Sequence, residues 1–170
     1  MNKIKKKFLC DKSEFYNFLK TSSLSKKNIS LEIISQRYYI NNSKFEFIVR
    51  TSYNSNSKSN KYKTYFTFKS KNIYTGKEYK VSFTSIILWF IFSNYSIVKN
   101  NIISQRYTFT YNSITYTVDD FISPSNLTLC EVKLDTKHQP VPQLPFFIEE
   151  VTHNLNYYNS NIAKTISTLL

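Results

Sequence analysis

Glycine is nearly absent, with Gly76 the only one in 170 residues. That excludes the glycine-rich loops that cradle nucleotide phosphates, which need backbone amides to approach the anion with no Cβ in the way. Cysteine is limited to Cys10 and Cys130, and histidine to His138 and His153. These are too few and too scattered for a disulfide framework or a zinc site, so reduced structural thiols and surface histidines are expected. Acidic residues are also scarce: 11 Asp and Glu stand against 23 Lys and Arg, a formal charge of +12. The isoelectric point near 9.6 makes any partner anionic, whether polyphosphate, nucleic acid or an anionic surface.

Long apolar runs are missing as well. The 18 uncharged residues between Lys80 and Lys99 include Ser82, Thr84, Ser85, Ser93, Asn94 and Ser96. Their apolar centre, Ile86 to Phe92, is shorter than the ~20 residues a bilayer requires. A buried helix is expected there and no membrane span. The basic start leads into only Phe8-Leu9-Cys10 before Asp11, which is not the pattern of a secretory signal. The expected location is intracellular, in the cytoplasm or in an organelle such as a mitochondrion.

What is present is aromatic: 14 Tyr and 14 Phe, within 41% hydrophobic residues. Rings bury large apolar areas, so one domain spanning residues 1–170 with a ring-built core is expected. The abundance of Asn, Lys, Ile, Tyr and Phe, with only Arg37, Arg50 and Arg106 as arginines, is the bias of an AT-rich genome. Some lysines therefore stand where another genome writes arginine.

Alternation of β-branched and aromatic residues with polar ones predicts strands. They are expected at Lys3 to Leu9, Ile29 to Ile40, Phe45 to Tyr53, Tyr62 to Ser70, Lys77 to Phe83, Ile102 to Tyr111, Ile114 to Phe121 and Leu127 to Leu134. Asn112-Ser113 reads as a hairpin turn and Asn54 to Asn60 as a polar loop. Helices are expected at Ser13 to Leu24, capped by Ser13, at Ser85 to Asn94, and at Phe146 to Leu155 after the loop holding Pro140, Pro142 and Pro145. The hexapeptide Ile-Ile-Ser-Gln-Arg-Tyr occurs at Ile33 to Tyr38 and again at Ile102 to Tyr107. It reads either as two related halves closing one barrel or as coincidence within a biased alphabet.

Four motifs follow in order near the C-terminus: Val118-Asp119-Asp120-Phe121, Cys130-Glu131-Val132-Lys133-Leu134, Pro145 through Glu150-Val151-Thr152, and Tyr157-Tyr158-Asn159 through Ile162-Ala163. Together they resemble the V-D-x-F, A-E-x-E-L, P-x-x-x-G-x-E-V-T and Y-x-N-x-x-L-A motifs of the CYTH, or triphosphate tunnel, family. Upstream, Gln36-Arg37-Tyr38 resembles its Q-x-Y strand, Tyr65 to Lys69 its L-T-x-K strand, and Ile103 to Tyr107 its I-x-K-x-R-Y strand, so nearly the whole chain is covered. The resemblance implies an α+β fold, an eight-stranded antiparallel barrel forming a tunnel with flanking helices. In that family basic side chains grip a triphosphate while glutamates hold Mg²⁺ or Mn²⁺.

The departures from the pattern fall on both sides: among the bases, the paired R-x-R strand stands as Ile48-Val49-Arg50 and Ser104 takes the lysine position of I-x-K-x-R-Y, and the larger losses are acidic. Lys3 and Lys5 stand where the E-x-E-x-K strand places its glutamates, Lys80 takes a glutamate position of the R-x-E-x-E strand, and Lys133 takes the second glutamate of A-E-x-E-L. Four such replacements shift the lining by about eight charge units. The retained polyanion grip is Lys7, Arg50, Lys69 and Arg106, with Lys3, Lys5, Lys80 and Lys133 as secondary bases. Asp119, Glu131 and Glu150 remain as acids, either metal ligands or ion-pair partners, and Lys3, Lys5 and Lys7 have a second reading as a solvated N-terminus. The expected function is a catalytically degenerate, non-enzymatic module binding a polyanion, RNA or triphosphate, or a structural component of a ribonucleoprotein such as an organellar ribosome, with no cofactor. The alternative is a triphosphatase dependent on Mg²⁺ or Mn²⁺ and acting on inorganic triphosphate or nucleoside triphosphates.

Overall fold

The computed structural model describes residues 4–25, 28–41, 45–54, 62–70, 78–83, 101–136 and 139–168. The elements are β1 (Ile4–Cys10), α1 (Lys12–Thr21), β2 (Ser30–Asn41), β3 (Phe45–Asn54), β4 (Tyr62–Ser70), β5 (Glu78–Phe83), β6 (Asn101–Tyr111), β7 (Ile114–Ser123), β8 (Thr128–Leu134), β9 (Phe147–Glu150) and α2 (Asn159–Thr168). The eight long strands read from the sequence are all present. The helix expected at Ser85 to Asn94, most of the Asn54 to Asn60 loop, Lys3 and His138 lie outside the described residues, as do the side chains of Lys69 and Lys80. No helix among the described residues is long and apolar enough to cross a membrane.

The chain divides into two compact units, one of Met1–Leu31 with Ser104–Leu155 and one of Glu32–Ile103 with Asn156–Leu170. In the first, the strands lie in the order β6, β7, β8, β1, β9, with β8 antiparallel to both β1 and β7. One face of this sheet carries Phe8, Cys10, Phe109, Tyr116, Val118, Cys130, Val132 and Leu134 against Phe15 and Phe18 of α1 and Phe146. Phe15 is wholly buried and meets Tyr107 and Phe146 edge-on at 5.3 and 5.4 Å, a geometry the ring quadrupole favours.

The cap of helix α1 lies two residues earlier than the sequence suggests. Asp11, not Ser13, is its cap: Asp11 Oδ1 accepts from the Glu14 amide at 2.9 Å and from Ser13 Oγ at 2.6 Å. The carboxylate wins because, with extended backbone at Asp11, it reaches an amide of the first turn that has no partner inside the helix. The segment expected to be helical at Phe146 to Leu155 begins instead with strand β9, added to β1. Phe147 stacks on Phe8 at 4.2 Å, and the Val151 amide donates to the Lys7 carbonyl at 2.7 Å. Those cross-strand contacts outweigh a weak local helical preference.

Asn112 and Ser113 both have positive φ, 48° and 62°. Two such residues make the hairpin turn whose twist matches its strands, and here it is built without glycine. Tyr116 is wholly buried and its hydroxyl has no hydrogen-bond partner among the described residues; burial pushes its pKa up to about 12. An unsatisfied buried hydroxyl costs about 1–3 kcal/mol. Tyr116→Phe is therefore expected to raise the urea midpoint without changing the slope of the transition.

The second unit orders its strands β5, β4, β3, β2, each pair antiparallel. The two copies of the repeated hexapeptide are used differently. In β2, Ile34, Gln36 and Tyr38 are buried, whereas in β6 Gln105 and Tyr107 are half-buried and Tyr107 packs against α1 of the first unit. In both copies the glutamine bonds the tyrosine hydroxyl two residues on, at 3.0 Å, because alternation puts residues i and i+2 on one face.

A cationic sheet face as candidate site

The face of the first unit's sheet opposite α1 follows from the register. Lys5 pairs with Lys133, which pairs with Thr115; Lys7 pairs with Glu131, which pairs with Thr117; Leu9 pairs with Leu129, which pairs with Asp119. Directly opposed residues share a face, so Lys5, Lys7, Glu131, Lys133 and Asp119 all project from the side that does not carry Phe8, Cys130 and Val118. Arg106 joins them from β6 by reaching Asp119 with Nε and Nη2, each 2.7 Å from a carboxylate oxygen. Four bases and two acids therefore share one surface of four strands.

The pairings within the group differ in strength. Arg106 and Asp119 form a two-pronged, largely buried pair, with side chains 22% and 14% exposed. Planar forks of this kind are geometrically fixed and stronger than single contacts. Lys5 Nζ meets Glu131 Oε1 at 3.0 Å, but Lys5 is 55% exposed, and such solvated pairs contribute about 0–1 kcal/mol. Lys133 makes no ion pair among the described residues and lies opposite Lys5, a like-charge pairing that destabilises a ladder. Lys7 is partly buried, and that burial lowers its pKa from the usual 10.5, opposed by the charges of Glu131 and Asp119.

Burial of a charged Lys7 is a penalty carried in full at neutral pH and relieved only as pH rises between its lowered folded pKa and the unfolded value. A bound anion would relieve it at neutral pH by supplying counter-charge. Anion affinity is accordingly expected to fall as pH rises through that lowered value, earlier than a lysine of ordinary pKa would lose its proton. Affinity titrated from pH 7 to 10 checks this, with Lys7→Arg expected to remove the early loss.

Other residues singled out from the sequence lie elsewhere. Glu150 pairs with Phe8 on the opposite face of β1, where Lys6 Nζ reaches it at 3.0 Å. Thr152 Oγ1 donates to Glu150 at 2.6 Å and accepts from the Lys7 amide at 3.1 Å, and that hydroxyl, then Lys6, holds the carboxyl below its usual range. The Glu150-Val151-Thr152 motif thus fastens β9 to β1. Arg50 belongs to the second unit, where Nη2 donates to Gln36 Oε1 at 3.3 Å, an oxygen that also accepts from Asn159 Nδ2 at 3.3 Å. Lys69 and Lys80 also fall in that unit, Lys69 in register with Glu46 and Glu78, and Lys80 with Thr67.

Sequence reasoning passed over two buried acids. Glu46, 8% exposed, was signalled by its period-two relation to buried Ile48. Asp120 sits beside Asp119 but faces α1, accepting from Tyr16 at 2.7 Å and Thr128 at 3.3 Å and pairing with Lys12 at 3.0 Å. Adjacent aspartates on a strand must take opposite faces, so one serves the cationic face and the other ties down the helix.

A Mg²⁺ or Mn²⁺ ion takes oxygen ligands, Mg²⁺ in near-ideal octahedral geometry at about 2.1 Å. The donors on this face do not fit one: both oxygens of Asp119 hold Arg106, and Glu131 is joined to an ammonium. No group of three or more His, Cys, Asp or Glu able to hold a metal occurs among the described residues.

Solved structures with the same architecture include that of the inorganic triphosphatase NE1496, with a TM-score of 0.63 and 20% identity over 96% of this chain and 95% of that one. A second structure of NE1496, described as a hypothetical protein, gives 0.64 at 20% identity over 95% and 97%. The PH1819 protein of Pyrococcus horikoshii OT3 gives 0.53 at 14% identity over 81% and 80%. No family model and no curated protein matches the chain in sequence. At these identities the likeness establishes the fold, an antiparallel α+β fold of the CYTH type.

Proposed function

We propose that the chain is a non-enzymatic module that binds a polyphosphate-like anion without hydrolysing it. The observation that supports this best is the state of the two acids on the cationic face. Glu131 is joined to Lys5 at 3.0 Å, and Asp119 is held at both oxygens by Arg106. Asp119 has no oxygen left for a hard cation and Glu131 shares its carboxylate with an ammonium; without a well-held cation the charge developing on a phosphoryl group and the attacking water lack their usual support. The bases remain suited to ground-state binding: Lys5 and Lys133 face each other in one row of the sheet and Lys7 stands in the next, neighbours about 5 to 8 Å apart at their bases, close enough for one oligophosphate to reach all three. The net charge of +12 adds attraction at long range.

Calorimetry with inorganic triphosphate in EDTA, paired with a phosphate-release assay in Mg²⁺ and in Mn²⁺, tests this reading. Binding in EDTA with no release in either metal is expected. Metal-dependent release that disappears in Glu131→Ala would instead establish a triphosphatase, the activity named for NE1496. A short RNA run as a parallel ligand separates a preference for compact oligophosphate from general polyanion attraction, which weakens steeply with salt.

A further inference from the structure

We infer that Lys5 acts as a tethered cation in this site, so that the ligand is taken as the metal-free oligophosphate and divalent metal opposes binding. The inference rests on the anion-binding reading above. Its first ground is position: the Lys5 ammonium lies 3.0 Å from Glu131 Oε1, where a carboxylate on an anion-binding face would otherwise present itself to a metal ion. A carboxylate holding an ammonium between itself and a phosphate resembles a carboxylate holding a metal there, except that the positive charge is covalently attached and needs no free ion.

The second ground is strength. With Lys5 half exposed, its bond to Glu131 is weak enough to be shared with an incoming phosphate oxygen, while the Arg106 fork on Asp119 stays closed. The third is charge balance. Lys133 stands directly opposite Lys5 and in the row next to Lys7, so this part of the face carries three ammonium groups for one carboxylate. A bare oligophosphate satisfies that excess. A Mg²⁺-complexed one brings less negative charge and adds a dication beside Lys5, while Asp119, the other acid described on this face, is already held at both oxygens by Arg106.

The test measures inorganic triphosphate affinity in EDTA and in millimolar free Mg²⁺ for the native chain, Lys5→Gln and Lys5→Glu, with a circular dichroism spectrum on each variant. For the native chain Mg²⁺ is expected to weaken binding at least about tenfold, equivalent to 1.4 kcal/mol. Lys5→Gln is expected to lose about tenfold in EDTA, and Lys5→Glu to lose binding in EDTA and recover part of it with Mg²⁺. If Lys5→Glu does not fold, the native Mg²⁺ series and Lys5→Gln carry the test alone. Mg²⁺ that strengthens native binding, or a Lys5→Gln chain of unchanged affinity, overturns the tethered-cation inference while leaving anion binding in place. Absence of binding in both media removes the anion-binding reading itself.

Discussion

Lys7→Glu is expected to abolish triphosphate binding, lowering affinity by about 100-fold or more. The substitution removes one charge-assisted hydrogen bond to phosphate, about 1.5–3 kcal/mol, and adds a carboxylate directly opposite Glu131. At 1.4 kcal/mol per factor of ten, the lost bond alone accounts for one to two decades and the new repulsion for the rest. The same change on the other face of the strand makes the control: Lys6→Glu also reverses a charge on β1, but Lys6 belongs with Glu150, so affinity should move only as far as net charge and salt dictate. Calorimetry of both variants separates a placed cation from bulk attraction. Equal losses would assign the binding to overall charge.

Phe15→Ala is expected to cost about 3–5 kcal/mol of folding stability, the range for emptying a buried phenylalanine site. Phe15 has no exposed surface, and its ring is surrounded by Tyr16, Tyr107 and Phe146, so neighbouring rings cannot collapse into the space without leaving their own contacts. Because Tyr16 and Tyr107 also belong to the polar network around Asp120, loosening the helix should disturb that network too. Urea unfolding measures the loss. A cost below about 1 kcal/mol would mean that α1 is not clamped as described.

The strands were readable because β-branched and aromatic residues alternate with polar ones along the sequence, as in Tyr62 to Ser70, whose expected and observed limits coincide, although burial there does not follow the alternation, with Thr67 buried and Phe68 exposed. Lys5 and Lys7 could be placed on one face from alternation alone, and the register then supplied what alternation lacks, their partners Lys133 and Glu131. Ion pairing is not legible in a sequence, because Asp119 and Arg106 are 13 residues apart and meet only through the hairpin at Asn112-Ser113. The motif resemblance treated Glu150 as equivalent to Glu131. A register shift at Leu9 and Cys10, where β9 joins β1, sets Glu150 beside Phe8 instead, and no local signal in the sequence marks that shift. The Phe146 to Leu155 segment misled for a related reason: its short apolar spacing suits a helix, yet the free edge of β1 and the Phe8 ring were available to a strand. Ser13 and Asp11 are both good capping residues, and only the contact of Asp11 with the Glu14 amide distinguishes them.

The most direct test of the account is the response of individual lysines to ligand. With lysine amines carrying ¹³C-methyl labels and EDTA present, inorganic triphosphate should shift the NMR signals of Lys5, Lys7 and Lys133 and leave that of Lys6 nearly still. Signals of these three that stay in place in EDTA and move only when Mg²⁺ is added would contradict it, and would point to metal-dependent binding of the kind the CYTH resemblance implies.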